Sequence, residues 1–225
     1  MDTRTHCLNV LALFLMIYPV AVPSIISNML YNFIKHDPQK RKDSFWPFSI
    51  VNFILIIVLL LIQPDFKGMF TQFDYFKLSF TALLGIATGP VLIILELGIG
   101  ALIAKLQGKN ILKFTVDESI GKEKLWIQIS VLLIAVFEEL LFRWCAHYVT
   151  VSCMNWHNVG FLIFTAVFYA INHIHEGIVT TVQKFVTGLI LGTLFLLSGC
   201  QILAPILAHV TENLIIIIWS KKTYE

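Results

Sequence analysis

Long apolar blocks separated by short polar loops recur along the chain. Seven of them meet or approach the ~20 residues needed to cross a hydrocarbon core. They lie at about 8–33, 46–63, 78–106, 125–150, 158–176, 180–198 and 201–219. The first is too long for the apolar region of a signal peptide, and no convincing small-x-small cleavage pattern follows it, so it reads as a retained span. The pattern predicts an all-α, polytopic transmembrane helix bundle of about seven spans, carried by one unit rather than two.

Composition supports a membrane setting. The chain is 57% hydrophobic and 13% charged, whereas soluble domains carry about 25% charged residues. The net charge of +2 is less informative than where the charges sit. Lys35, Lys40, Arg41 and Lys42 fall in one loop, and Lys105, Lys109, Lys113, Lys122 and Lys124 in another. Lys184 begins the sixth span, and Lys221 and Lys222 follow the seventh. These are alternate loops, while the opposite side holds only Arg4, Lys67 and Lys77. The positive-inside rule then puts the N-terminus outside and the C-terminus in the cytoplasm. The loop 107–124 alternates polar and apolar residues and is expected along the cytoplasmic interface. The four cysteines form no C-x-x-C pair and read as structural rather than as a disulfide framework.

Small residues suggest how the helices pack. Gly85-x-x-x-Gly89 and Gly188-x-x-x-Gly192 are faces that allow close backbone approach, expected within one bundle. Pro205, four residues after Gln201, is expected to weaken that backbone bond and bend the last helix.

The chemistry lies in the few polar groups at membrane depth, where each ionised side chain costs at least ~2.5–3.5 kcal/mol. Glu138, Glu139 and Arg143 crowd into span four. Tyr169, Asn172 and His173 follow in span five, and His209, Thr211, Glu212 and Asn213 in span seven. Glu139 and Arg143 are i and i+4, so they can pair on one face. Glu138 is rotated ~100° away and is left without that partner. His209 and Asn213 repeat the i, i+4 spacing, as do Tyr169 and His173. One unpaired glutamate, two histidines and an asparagine can build a hydrolytic site, with a carboxylate taking a proton from water and nitrogen donors facing an oxyanion. No serine or cysteine is paired with a base, and there is no H-E-x-x-H motif. Other polar residues carry a structural expectation. Glu96 reads as a lone carboxylate, protonated or paired with another helix. His175 and Glu176 read as interfacial, and His147 as a solvated end residue. Glu212 points ~100° from Asn213 and is left out of the core set.

Taken in order, the three motifs resemble those of the CPBP family of intramembrane proteases, also called the Abi or CAAX-protease-and-bacteriocin-processing family. E-E-x-x-x-R is matched by Glu138, Glu139 and Arg143. F-x-x-x-H is matched by Tyr169 through His173, with tyrosine for phenylalanine, and H-x-x-x-N by His209 and Asn213. The resemblance covers roughly 125–219. It implies a CPBP-like catalytic core over 125–219, while hydropathy and charge read 1–124 as N-terminal transmembrane helices with a cytoplasmic interfacial loop and 220–225 as a cytoplasmic tail. It also implies that Glu138 and His173 activate water, His209 and Asn213 stabilise the tetrahedral intermediate, and Glu139, Arg143 and Tyr169 support the site. No cofactor is expected. Glu138, His173 and His209 are also residue types that bind zinc, so spacing alone leaves a metal-dependent alternative. Trp144 stands where the family commonly has glycine.

The expected partners are the bilayer and a peptide or membrane-protein substrate, with bacteriocin-system components as a further class and no nucleic acid. The expected place is a bacterial plasma membrane. Two competing readings are a non-catalytic bacteriocin immunity or peptide-binding protein that keeps the fold, and a small transporter. The chain shows no related halves of the kind common in transporters.

Overall fold

The computed structural model describes residues 75–108 and 123–222, with Val10, Ile54 and Val58 as isolated positions. The expected spans 8–33 and 46–63 and most of the loop 107–124 lie outside the described residues. Among the described residues all regular structure is helical. Helix α1 is Tyr75–Leu106 and α2 is Leu125–Cys153. Helix α3 is Asn158–Ile171, α4 is Ile178–Leu197 and α5 is Leu203–Lys222. Four of these have membrane-crossing length and hydropathy, over Ser79–Leu106, Leu125–Cys153, Ile178–Leu197 and Leu203–Ser220. The protein is an all-α, multi-pass membrane protein.

Helix α3 departs from the expected span 158–176. Its 14 residues rise only ~21 Å, short of the ~30 Å hydrocarbon thickness. The extended His157 caps its start, with Nδ1 accepting from the Val159 amide at 3.4 Å. After Ile171 the chain passes through a 3-10 turn, Ile174–Glu176, and reaches Gly177 at φ +106 and ψ 164. That backbone conformation is essentially restricted to glycine, so Gly177 lets the chain reverse into α4.

Helix α2 is not uniform. It is α-helical over Leu125–Glu139 and π-helical over Leu140–Cys145 and Tyr148–Cys153. π turns are uncommon and recur at functional sites, and here the first one begins directly after the glutamate pair. Its residues Leu141, Phe142, Trp144 and Cys145 enter a core with Val149, Phe161, Tyr169 and Phe195. The Trp144 indole is only 4% exposed, so the bulk that replaces glycine is absorbed by the bundle interior.

The glycine faces pack within the bundle, as expected. A Cβ at Gly85 would lie 2.5 Å from the Ala204 carbonyl oxygen, and one at Gly89 would lie 2.7 Å from Thr211 Cβ. Both contacts are on α5. Gly188 and Gly192 face Ala166 and Leu162 of α3 in the same way. Thr81, Gly85, Gly89 and Leu92 form the inward stripe of α1, while Phe80, Leu83, Ile86, Val91, Ile94 and Leu102 are exposed. Outward apolar side chains are the normal state of a helix solvated by lipid, where close packing and hydrogen bonds drive association.

The expectation for Pro205 is corrected. It is the third residue of α5, and in a first turn the missing N–H has no intrahelical partner to lose. Proline therefore starts this helix rather than bending it. The cysteines Cys145, Cys153 and Cys200 are free, and burial pushes the Cys200 thiol up, in line with a structural role.

Gly89→Val should lower thermal stability in detergent by about 1–3 kcal/mol through overpacking against α5. Gly98→Val, where nothing lies within 4 Å of the new Cβ, should change it far less. Equal losses in the two variants would contradict the packing described for α1.

Candidate functional site

Glu138 and Glu139 lie near the middle of α2, at the junction of its α- and π-helical parts. Glu139 and Arg143 are both fully buried, and Arg143 Nε lies 3.1 Å from Glu139 Oε2. The contact is off the N–H axis, so it is an ion pair rather than a directed hydrogen bond. Arg143 also donates from Nη2 to the Gly188 carbonyl of α4 at 3.4 Å. Its guanidinium carbon sits 4.8 Å from the centre of the Tyr169 ring, a cation–π arrangement. The predicted pair thus forms, and Arg143 additionally ties α2 to α3 and α4.

The other oxygen of Glu139 reaches α5. His209 Nδ1 lies 2.9 Å from Glu139 Oε1, a link that helical spacing alone did not reveal. A carboxylate oxygen accepts, so on this contact Nδ1 carries the proton and in the neutral ring Nε2 is an acceptor. Nε2 faces Glu138 Oε2 at 3.9 Å and the Tyr169 hydroxyl at 3.4 Å. Glu138 is 8% exposed and stays outside the Arg143 pair, as expected from its rotation. Phe142 packs edge-on against Tyr169 at 5.8 Å, which holds the hydroxyl near His209.

His173 lies beyond the end of α3 rather than on it. Its Nδ1 is 2.9 Å from the Tyr169 carbonyl, which fixes the Nδ1–H tautomer and leaves Nε2 as the acceptor. Its ring packs on Tyr169 with centroids 5.0 Å apart, and Tyr169 in turn meets His209 at 6.0 Å. Tyr169 therefore stands between the two histidines. Asn213 lies one turn beyond His209 on α5 and is half-buried. Among the described residues, no group of three or more His, Cys, Asp or Glu is arranged to hold a metal ion.

A second polar group adjoins the first. Lys184 of α4 was expected at a loop, as a marker of the cytoplasmic side. It is instead inside the bundle, its side chain 14% exposed, with Nζ 2.7 Å from Glu96 Oε1 and 3.2 Å from Glu212 Oε1. Thr187 donates to the same Glu96 oxygen at 2.7 Å, and Gln183 donates to the Glu96 backbone carbonyl at 2.6 Å. Glu96 is thus paired with another helix, one of its two expected states. Glu212, omitted from the core set, is fully buried. The sequence held one clue: a lone carboxylate in one span and a lone lysine within another have opposite charges and need partners. His147 also departs from expectation. It is half-buried, edge-on to Phe161 and Phe195 at 5.1 and 5.3 Å, with Nε2 3.8 Å from Cys200 Sγ.

A buried carboxylate pair, an arginine and two histidines thus come together on packed helices. In comparison with known families, residues 121–215 match the model described as Rce1-like, type II CAAX prenyl endopeptidase Rce1-like. The matched segment contains all three motifs and is similar to CAAX-type endopeptidases of the kind that the motif resemblance implies. No curated protein and no solved structure matches the chain.

Arg143→Met should destabilise the bundle by about 3–5 kcal/mol, because it leaves the buried Glu139 charge without its cation. Arg143→Met combined with Glu139→Gln should regain part of that loss. Thermal unfolding of the two variants in detergent checks the pair, and an equally unstable double variant would contradict it.

Proposed function

We propose that the protein is an intramembrane endopeptidase that hydrolyses a peptide bond of a membrane-associated or peptide substrate with water activated by Glu138. The observation that carries this reading is the division of labour in the glutamate pair. Glu139 is engaged by Arg143 and His209 Nδ1, whereas Glu138 lies 3.9 Å from His209 Nε2. That gap is too long for a direct hydrogen bond and suits a bridging water.

In the proposed reaction Glu138 takes a proton from water as the oxygen attacks the scissile carbonyl carbon. His173, with Nδ1 committed to the Tyr169 carbonyl, offers Nε2 as a second acceptor that orients this water. The carbonyl oxygen becomes an oxyanion. In its imidazolium form His209 donates from Nε2 to that oxyanion, and the Asn213 amide is the second donor. Collapse of the intermediate breaks the C–N bond, and Glu138 returns its proton to the leaving amine. Glu139 and Arg143 orient His209, and the Tyr169 hydroxyl, absent where the family has phenylalanine, adds a donor beside Nε2. The chemistry proposed is carried by these side chains without a metal ion.

The proposed setting is a bacterial plasma membrane, with the N-terminus outside and the C-terminus cytoplasmic; the orientation is supported by the alternation of the basic loops other than Lys184. Bacteriocin processing or self-immunity would fit a peptide substrate. Glu138→Gln removes the base and keeps the shape. It should lower proteolysis by about 10²-fold or more at unchanged membrane abundance. The check is a comparison of membrane and secreted peptides from cells carrying either form. Identical fragment profiles in cells that contain a wild-type-dependent substrate would exclude Glu138 as the base. A peptide-toxin protection that survives in the same variant would favour the binding reading.

A further inference from the structure

Helix α5 presents two polar residues to the rest of the bundle, one turn apart. His209 is held by Glu139 of α2 at 2.9 Å, and Glu212 is held by Lys184 of α4 at 3.2 Å. Three residues along an α-helix return to nearly the same face. Lys184 lies one turn before Gly188 on α4, and the Gly188 carbonyl accepts from Arg143 at 3.4 Å. The contacts close a circuit: Lys184 to Glu212, along α5 to His209, across to Glu139 and Arg143, and back through Gly188 to Lys184. Glu96 anchors the ammonium end, its Oε1 accepting from Lys184 Nζ and from the Thr187 hydroxyl at 2.7 Å each.

We propose that Lys184 is a positioning residue that sets the rotation of α5 about its axis, and thereby places His209 and Asn213 relative to Glu138. The neighbouring α1–α5 contact cannot do this alone. It is made by Gly85 and Gly89 against Ala204, Leu207, Ala208 and Thr211, where the side-chain-free glycines permit close approach but make no directional polar contact to fix a rotation. A single polar contact at His209 would also leave α5 free to pivot about it. The second contact, from a different helix and one turn on, removes that freedom. A buried ion pair is weak ground for stability, since apolar replacements are often neutral or better. Directional contacts to two carboxylates on different helices do define a rotation.

The consequence for catalysis rests on the active-site reading above, but the test needs no turnover. Full-length protein labelled with 15N-histidine is placed in lipid bilayers, and the His209 signals are identified by their loss in His209→Gln. In the wild type the Nδ1 signal should carry the shift of a nitrogen hydrogen-bonded to a carboxylate. In Lys184→Met it should move towards the value of an unpaired imidazole. The triple variant Glu96→Gln, Lys184→Met, Glu212→Gln leaves no unpaired charge, so it tests the link even if Lys184→Met does not fold. A displaced His209 signal in the triple variant supports the clamp, and a wild-type signal there overturns it. The protease reading fails separately, if Glu138→Gln leaves cleavage unchanged while the His209 signal still depends on Lys184.

Discussion

A carboxylate with 0% exposure in the middle of a membrane helix needs compensating partners, and the structure turns on how Glu139 finds them. One oxygen faces Arg143 on its own helix at 3.1 Å and the other faces His209 of α5 at 2.9 Å. Removing water makes such contacts strong and makes their absence costly. The charge therefore binds α2 to α5, and through Arg143 to the Tyr169 ring and the Gly188 carbonyl. Four helices meet at one ion pair.

This arrangement depends on close backbone approach. Gly85 and Gly89 bring α1 against α5, and Gly188 and Gly192 bring α4 against α3. With larger residues there the helices would stand farther apart, beyond the reach of contacts near 3 Å. Apolar packing and polar contact thus do different jobs. The glycine faces set distance, while the Glu139–His209 and Lys184–Glu212 links select orientation.

For function, the asymmetry within the glutamate pair is the main consequence. Glu139 is committed to structure, so the adjacent Glu138 stays close to His209 Nε2 without a cation of its own in direct contact. The matched segment, which is similar to CAAX-type endopeptidases, contains both glutamates. Tyr169 gives this chain a local character. Its ring lies beside both histidines, its carbonyl holds His173, and its hydroxyl lies near His209 Nε2.

The sequence by itself determined the helical class, most span positions in the described part and the three motifs. These depend on local quantities: apolar run length, helical spacing and the penalty on charge in lipid. The Glu139–Arg143 pair and the separate position of Glu138 were legible for the same reason, since four residues and one residue fix their relative rotation. Tertiary structure alone decided that Glu139 also holds His209, 70 positions away, and that Lys184 leaves the loop to join Glu96, 88 positions away. It also ended α3 at Ile171 and placed His173 in the turn beyond it. Those outcomes depend on the rotation and depth of each helix against its neighbours, which packing sets and local spacing does not encode.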